Sequence, residues 1–188
     1  MTGSMQPTPA PRLKKISHAG WQHLPEIRER LQHGFAEQPA EARIWMREIE
    51  DNISGTVVCE IDGQLAGFAG LHFIDEHVCV LWHHFVHEPL RGQGIGSLLV
   101  FASLLMAGVG EVPLEAGVVT PPDTEGFYLR LGFASEGDPV FDPILNQPVC
   151  RLHRSFSPED LDQIHAALES REDIQLFADD VPEGLFED

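Results

Sequence analysis

Between residues 55 and 120 the apolar positions alternate or gather in short blocks; nearer the two ends they recur every three or four residues. The first pattern is that of strands and the second that of helices. "RLKKISH" (12–18) predicts a short first strand. In "AGWQHLPEIRERLQHG", Trp21, Leu24, Ile27 and Leu31 fall on one helical face and Gly34 suits the stop. "PAEARIWMREIEDNIS" predicts a second helix with Ala42, Trp45, Met46 and Ile49 inward and Pro39 in its first turn. "TVVCEIDGQLAGFAGLHF" reads as strand, Asp-Gly turn, strand. "IDEH" turns the chain again. "VCVLWHHFVHEP" alternates too little to face water on one side, so it is expected at the sheet centre. "IGSLLVFASLLMA" (95–107) predicts a helix that is apolar nearly all round and therefore well buried. "EVPLEAGVVT" is the next strand, "TEGFYLRL" a short helix stopped by Gly132, and "QPVCRLHRSF" the last strand. In "SPEDLDQIHAALES", Ser157 is an N-cap, Pro158 the first helical residue and Asp160 the partner of a capping box.

The resulting order is strand, two helices, three strands, helix, strand, helix, strand, helix. That is a mixed α/β (α+β) fold built around one sheet. Residues 1–11, with "PTPAP", read as a flexible arm, 12–156 as the main domain, and 157–188 as a capped helix and acidic tail. A hydrophobic fraction of 43% over 188 residues suits one domain with a real core. No apolar run approaches the ~18 residues of a membrane span, and the N-terminus lacks a signal-peptide core. Cys59, Cys79 and Cys150 are odd in number and form no CxxC, as expected of reduced thiols in the cytoplasm. The net charge of −18 argues against nucleic-acid binding and would attract cations, though much of the acid lies in the tail.

The segment "FVHEPLRGQGIGSLLVFASLL" (85–105) carries three glycines, Gly92, Gly94 and Gly96, where a strand gives way to a helix. A helix N-terminus leaves N–H groups without partners and is partly positive, so an anion can dock there if side chains do not block it. Arg91 adds a cation at the same edge. The Walker loop is excluded because no Lys follows the glycines. The dinucleotide fingerprint is excluded because GQGIG has the wrong spacing and comes after several strands. Arg91-Gly92-Gln93-Gly94-Ile95-Gly96 instead fits R/Q-x-x-G-x-G/A without gaps, a site for a phosphate or pyrophosphate.

One strand further on lies "GFYLRLGF" (126–133). Together the two motifs resemble the GNAT superfamily of acyl-CoA-dependent N-acetyltransferases: RGQGIG looks like its motif A, and FYLRLGF like its F-Y-x-x-x-G-F motif. The resemblance covers residues 12–156. It implies a central, mostly antiparallel mixed sheet flanked by helices, here extended by the C-terminal helix and tail. It also implies acetyl-CoA as co-substrate and an amine acceptor. The amides of Gln93, Gly94, Ile95, Gly96 and Ser97 would wrap the pyrophosphate beside Arg91 and Gly92. The backbone at Phe85 and Val86 would pair with the pantetheine arm. Tyr128, the single tyrosine in the chain, falls where the family places the acid that protonates the departing thiolate.

The base that takes the amine's proton has several candidates. Strict alternation puts Trp82, His84 and Val86 on one face of the strand and His83, Phe85 and His87 on the other. His84 is the first candidate, His83 replaces it if the strand carries a bulge, and Glu115 on the next strand is the reserve. A water chain is the alternative to all three. His72, His77, His83, His84 and His87 spread over two faces and more than ~20 Å of strand, which does not suit a metal. Two departures from the family stand out: Pro121 sits where an Asn often contacts the cofactor, and Pro89 comes one residue late. The expected acceptor is a small cationic amine. A protein lysine or N-terminus is the alternative within the class. A non-catalytic acyl-CoA-binding domain is the alternative outside it, favoured by Phe177, Leu185 and Phe186 in the tail. The extra helix is compatible with a homodimer.

Overall fold

The computed structural model describes residues 12–36, 39–108, 112–143 and 146–177. The expected arm (1–11) and the end of the tail, with Leu185 and Phe186, lie outside these residues. The strands are β1 (Lys14–His18), β2 (Thr56–Ile61), β3 (Gln64–Phe73), β4 (Val78–Val86), β5 (Leu114–Thr120), β6 (Ala134–Ser135), β7 (Val140–Asp142), β8 (Gln147–Phe156) and β9 (Ile174–Leu176). The helices are α1 (Leu24–Gly34), α2 (Pro39–Asp51), α3 (Ile95–Ala107), α4 (Pro122–Arg130) and α5 (Pro158–Glu169). They make a mixed, mostly antiparallel sheet in the order β6-β8-β5-β4-β3-β2-β1-β9, with β7 paired to β8.

Residues one apart along a strand point to opposite faces, and the core divides accordingly. Val58, Leu65, Phe68 and Phe85 pack against Ile27 and Leu31 of α1 and Met46 and Ile49 of α2. Val57, Ala66 and Ala69 pack on the other face against Leu98, Leu99 and Ala102 of α3. Further along that second face, Cys79, Leu81, Ala116 and Val118 meet Val100 and Leu104 of α3, Tyr128 of α4 and Leu161 of α5. The all-round apolar character of α3 is thereby explained: it lies between the sheet and α5.

The three short strands β6, β7 and β9 are invisible to periodicity because two or three residues cannot establish a period. β9 gives the chain after α5 a definite place. It pairs in parallel with β1, where Lys14 Nζ meets Asp173 Oδ2 at 2.7 Å. Phe177 then donates its N–H to Ile16 O at 2.8 Å and lays its ring 5.0 Å from that of His18. This part of the tail is folded onto its own domain, and Phe177 is no free docking residue.

Two irregularities in the central strands position the site residues. The parallel ladder between β4 and β5 runs from Val78↔Glu115 to Leu81↔Val118 and stops. Beyond it β4 stays on β3 and β5 stays on β8, so the two strands part. On β4 the register shifts between Phe68↔Phe85 and Gly70↔Trp82, which sets two residues, His83 and His84, opposite Ala69. His83 takes φ +52°, a left-handed conformation uncommon for a residue with a side chain. This is a β-bulge.

Candidate active site

The turn after β4 delivers the glycines to the start of α3. Gly94 is the N-cap at φ 78°, and no side chain caps the helix. The first helical bond runs from Leu98 N–H to Gly94 O at 3.1 Å. The amides of Ile95, Gly96 and Ser97 therefore have no intrahelical acceptor. A Cβ built on Gly92 or Gly94 meets nothing within 4 Å, so that space is open. The positive φ of both, 78°, explains glycine there on conformational grounds as well. Gly96 has a different reason: an added Cβ would lie 3.3 Å from Phe127 Cζ and 3.4 Å from His84 Nε2. It makes room for the protein's own rings. Arg91 folds back, donating from Nε to Val86 O at 3.2 Å.

Tyr128 is placed by α4, which is held at both ends. At its start the Thr120 and Thr124 hydroxyls meet at 2.5 Å, and Thr124 Oγ1 donates to Pro121 O at 2.9 Å. Pro121 and Pro122 thus belong to a tight helix start. At its end Arg154 donates to Leu131 O. Tyr128 is 5% exposed, edge-on to Phe127 and Phe133. Burial pushes its phenol above the ordinary range, so it stays protonated.

The bulge decides which histidine meets Tyr128. Strict alternation, which put His84 with Trp82, fails at this point. Trp82, His83 and Phe85 all face α1 and α2, while His84 and Val86 turn toward α3. His84 Nδ1 lies 3.0 Å from the Tyr128 hydroxyl. Its Nε2 is buried without a hydrogen-bond partner. Burial holds its pKa down at about 4, against a smaller upward pull from the Gly96 backbone, so it is neutral at pH 7. One ring nitrogen then carries the proton. A proton on Nδ1 is donated to the phenol oxygen and leaves the phenol hydrogen free; a proton on Nε2 makes Nδ1 the acceptor.

His83 sits on the other face, 8% exposed, with burial lowering its pKa to about 3. Its ring packs 4.7 Å from Trp45. Its Nε2 lies 2.9 Å from Glu48 Oε2 of α2, without hydrogen-bond alignment. The same carboxylate oxygen accepts from Trp82 Nε1 at 3.1 Å. Glu48 was not expected from sequence; as one of many surface acids on α2, it becomes notable only when the bulge brings His83 over it. Glu115 is exposed and pairs with Val78 at the start of the ladder. At ~3.3 Å per residue it lies well back from the point where β4 and β5 part. The structure thus brings together Tyr128, His84, Phe85, Val86 and the turn 91–97, and leaves Glu115 apart.

The model of the acetyltransferase (GNAT) family matches residues 20–133, from before α1 to just after α4. The chain belongs to the GNAT family. Solved structures share the fold. N-acetylglutamate synthase from Neisseria gonorrhoeae, complexed with coenzyme A and N-acetyl-glutamate, superposes with a TM-score of 0.60 at 19% identity. That match covers 76% of this chain and 35% of the synthase, so the chain spans about a third of that enzyme. Ard1 from Thermoplasma volcanium gives a TM-score of 0.60 at 18% identity, covering 76% of this chain and 97% of that one. A GNAT-family acetyltransferase from Staphylococcus aureus gives 0.61 at 16% identity, with 76% and 98% covered. No curated protein sequence matches the chain. In this GNAT chain the free amides at α3 and the open space at Gly92 and Gly94 suit the phosphates of coenzyme A. Among the described residues no group of His, Cys, Asp and Glu is arranged to hold a metal ion.

Proposed function

We propose that this protein transfers an acetyl group from acetyl-CoA to the primary amine of a small cationic molecule, by direct attack while both are bound. The observation that carries the reading is the pairing of uncapped amides at the α3 N-terminus with a buried, protonated Tyr128, linked through His84, which touches the Tyr128 hydroxyl on one side and lies against Gly96 on the other. Acetyl-CoA supplies the activated carbonyl. Residues 93–97 hold its diphosphate, with Arg91 at the edge. The β4 edge at Phe85 and Val86, past the end of the ladder to β5, lies beside the pantetheine arm, with an N–H for the carbonyl oxygen and Val86 O shared with Arg91. Holding both reactants in line is a large part of the rate.

Transfer removes one proton from the acceptor nitrogen and delivers one to the departing sulfur. Tyr128 makes the delivery, and His84, bonded to its hydroxyl, orients it. This moves His84 from base to positioning residue. A neutral His84 with Nδ1 protonated aims the phenol hydrogen away from itself. The acceptor's proton leaves through water on the opposite face, because burial holds the His83 pKa at about 3, too low for it to serve as the base. The overall charge of −18 favours a cationic acceptor.

Thiol release from acetyl-CoA, followed across small diamines, monoamines, amino acids and lysine peptides, tests this reading. Turnover with the small cationic amines is the expected result. Turnover with peptides alone would make the protein a protein acetyltransferase. Acetyl-CoA binding without turnover on any acceptor would leave the non-catalytic acyl-CoA-binding reading.

A further inference from the structure

On the α2 side of β4, two aromatic rings meet one carboxylate and a third packs behind them. Glu48 Oε2 accepts from the Trp82 indole at 3.1 Å and lies 2.9 Å from His83 Nε2. Trp45 packs against His83 at a tilt, with centroids 4.7 Å apart. The Glu48 side chain is 45% exposed, so a solute can reach it. Among the described residues no Lys or Arg comes within ion-pair distance of Glu48; Arg28 is taken by Glu50 and Arg47 by Asp51. His83 does not neutralise the carboxylate, since burial keeps the ring uncharged at neutral pH.

His83 marks the spot. His83 is 8% exposed, and both its ring nitrogens lack hydrogen-bond partners. A buried unpartnered polar group is costly and needs a reason. The same residue is held at φ +52° inside a strand, and such strain persists where the surroundings enforce it. The bulge that creates it turns His83 over Glu48 and sends His84 to Tyr128.

We infer that Glu48, with Trp82, His83 and Trp45, is the subsite that recognises the acceptor's ammonium group. The carboxylate supplies the charge, the exposed Trp82 ring beside it supplies cation–π contact, and the buried His83 ring, packed on Trp45, holds the carboxylate in place from behind. The donor machinery lies on the α3 face and this subsite on the α2 face, and the parting of β4 from β5 joins them. The inference rests on the reaction proposed above and adds the groups that select its acceptor.

The test compares wild type, Glu48→Gln and Trp82→Phe, using 1,4-diaminobutane and an uncharged aromatic amine as acceptors and calorimetry with acetyl-CoA as the fold control. Glu48→Gln should raise KM for 1,4-diaminobutane at least tenfold, leaving acetyl-CoA affinity and the KM for the uncharged amine unchanged. Trp82→Phe, which keeps a ring but frees the carboxylate, should give a smaller rise in the same direction. If neither amine is turned over, calorimetric binding of 1,4-diaminobutane to the CoA-loaded protein replaces KM and should be lost in Glu48→Gln. Equal KM or equal binding in wild type and Glu48→Gln overturns the inference and leaves the acetyltransferase reading standing. Failure of the wild type to bind acetyl-CoA sinks that reading instead.

Discussion

Burial raises the Tyr128 phenol, and the 3.0 Å contact with His84 Nδ1 fixes where its oxygen points. Tyr128→Phe should therefore cut kcat by ~10² or more, the range of a lost acid, with little change in acetyl-CoA affinity. His84→Ala removes one hydrogen bond to that acid, about 0.5–1.5 kcal/mol, so kcat should fall by up to about tenfold. A larger loss in His84→Ala than in Tyr128→Phe would mean that His84 itself handles the proton. The pH profile separates the same two ideas. Burial places His84 at about 4 and His83 at about 3, so neither changes charge between pH 5 and 8. kcat/KM should then rise with pH along the acceptor amine's own deprotonation, near ~10 for an alkylamine. A break near ~6.5, the ordinary histidine value, would contradict this. The role of Tyr128 is only what the resemblance of FYLRLGF implies, but its place on a short helix was legible in the sequence. The histidines were not, because one bulge residue inverts every later position of a period-two strand, and its cause lies in tertiary packing.

At the scale of elements, α3 is bounded as the sequence indicates, at Ile95 and Ala107, because glycine turn and apolar run mark both its start and its burial. α5 likewise begins at its capping box, with Ser157 accepting from the Asp160 N–H at 3.1 Å. The short strands carry no such marks, and β9 matters most among them, since it anchors the chain after α5 to β1. Its clamp is electrostatic. Hydrogen bonds from Arg171 and then Lys14 hold the Asp173 carboxyl well below the usual carboxylate range. A carboxyl lowered in the folded state stabilises the fold above its unfolded value, near ~3.9, and loses that contribution as pH falls further. Urea midpoints should accordingly drop more steeply below pH ~4 in wild type than in Asp173→Asn, which starts lower at pH 7. Parallel slopes would show that the clamp contributes nothing.

Over the whole molecule, the sheet acts as a partition. The glycine turn, Tyr128 and His84 lie toward α3; Glu48 and His83 lie toward α2; beyond Leu81 and Val118 the β4–β5 ladder ends. The family could be read from RGQGIG and FYLRLGF, since both are local in sequence. The contact of Glu48 with β4 joins α2 to that strand across more than thirty intervening residues, and no local pattern announces it. The central claim is that bare amides at residues 93–97 grip the carrier's diphosphate. Calorimetric titration of acetyl-CoA into wild type and Gly94→Val tests it most directly. A valine at φ 78° costs about 1–2 kcal/mol of stability, so the variant should stay folded by circular dichroism. Wild type should bind with a Kd of roughly micromolar order, and Gly94→Val at least ~100-fold more weakly, a loss of about 2.7 kcal/mol. No heat from wild type at millimolar acetyl-CoA, or equal affinity in the two proteins, would contradict the claim.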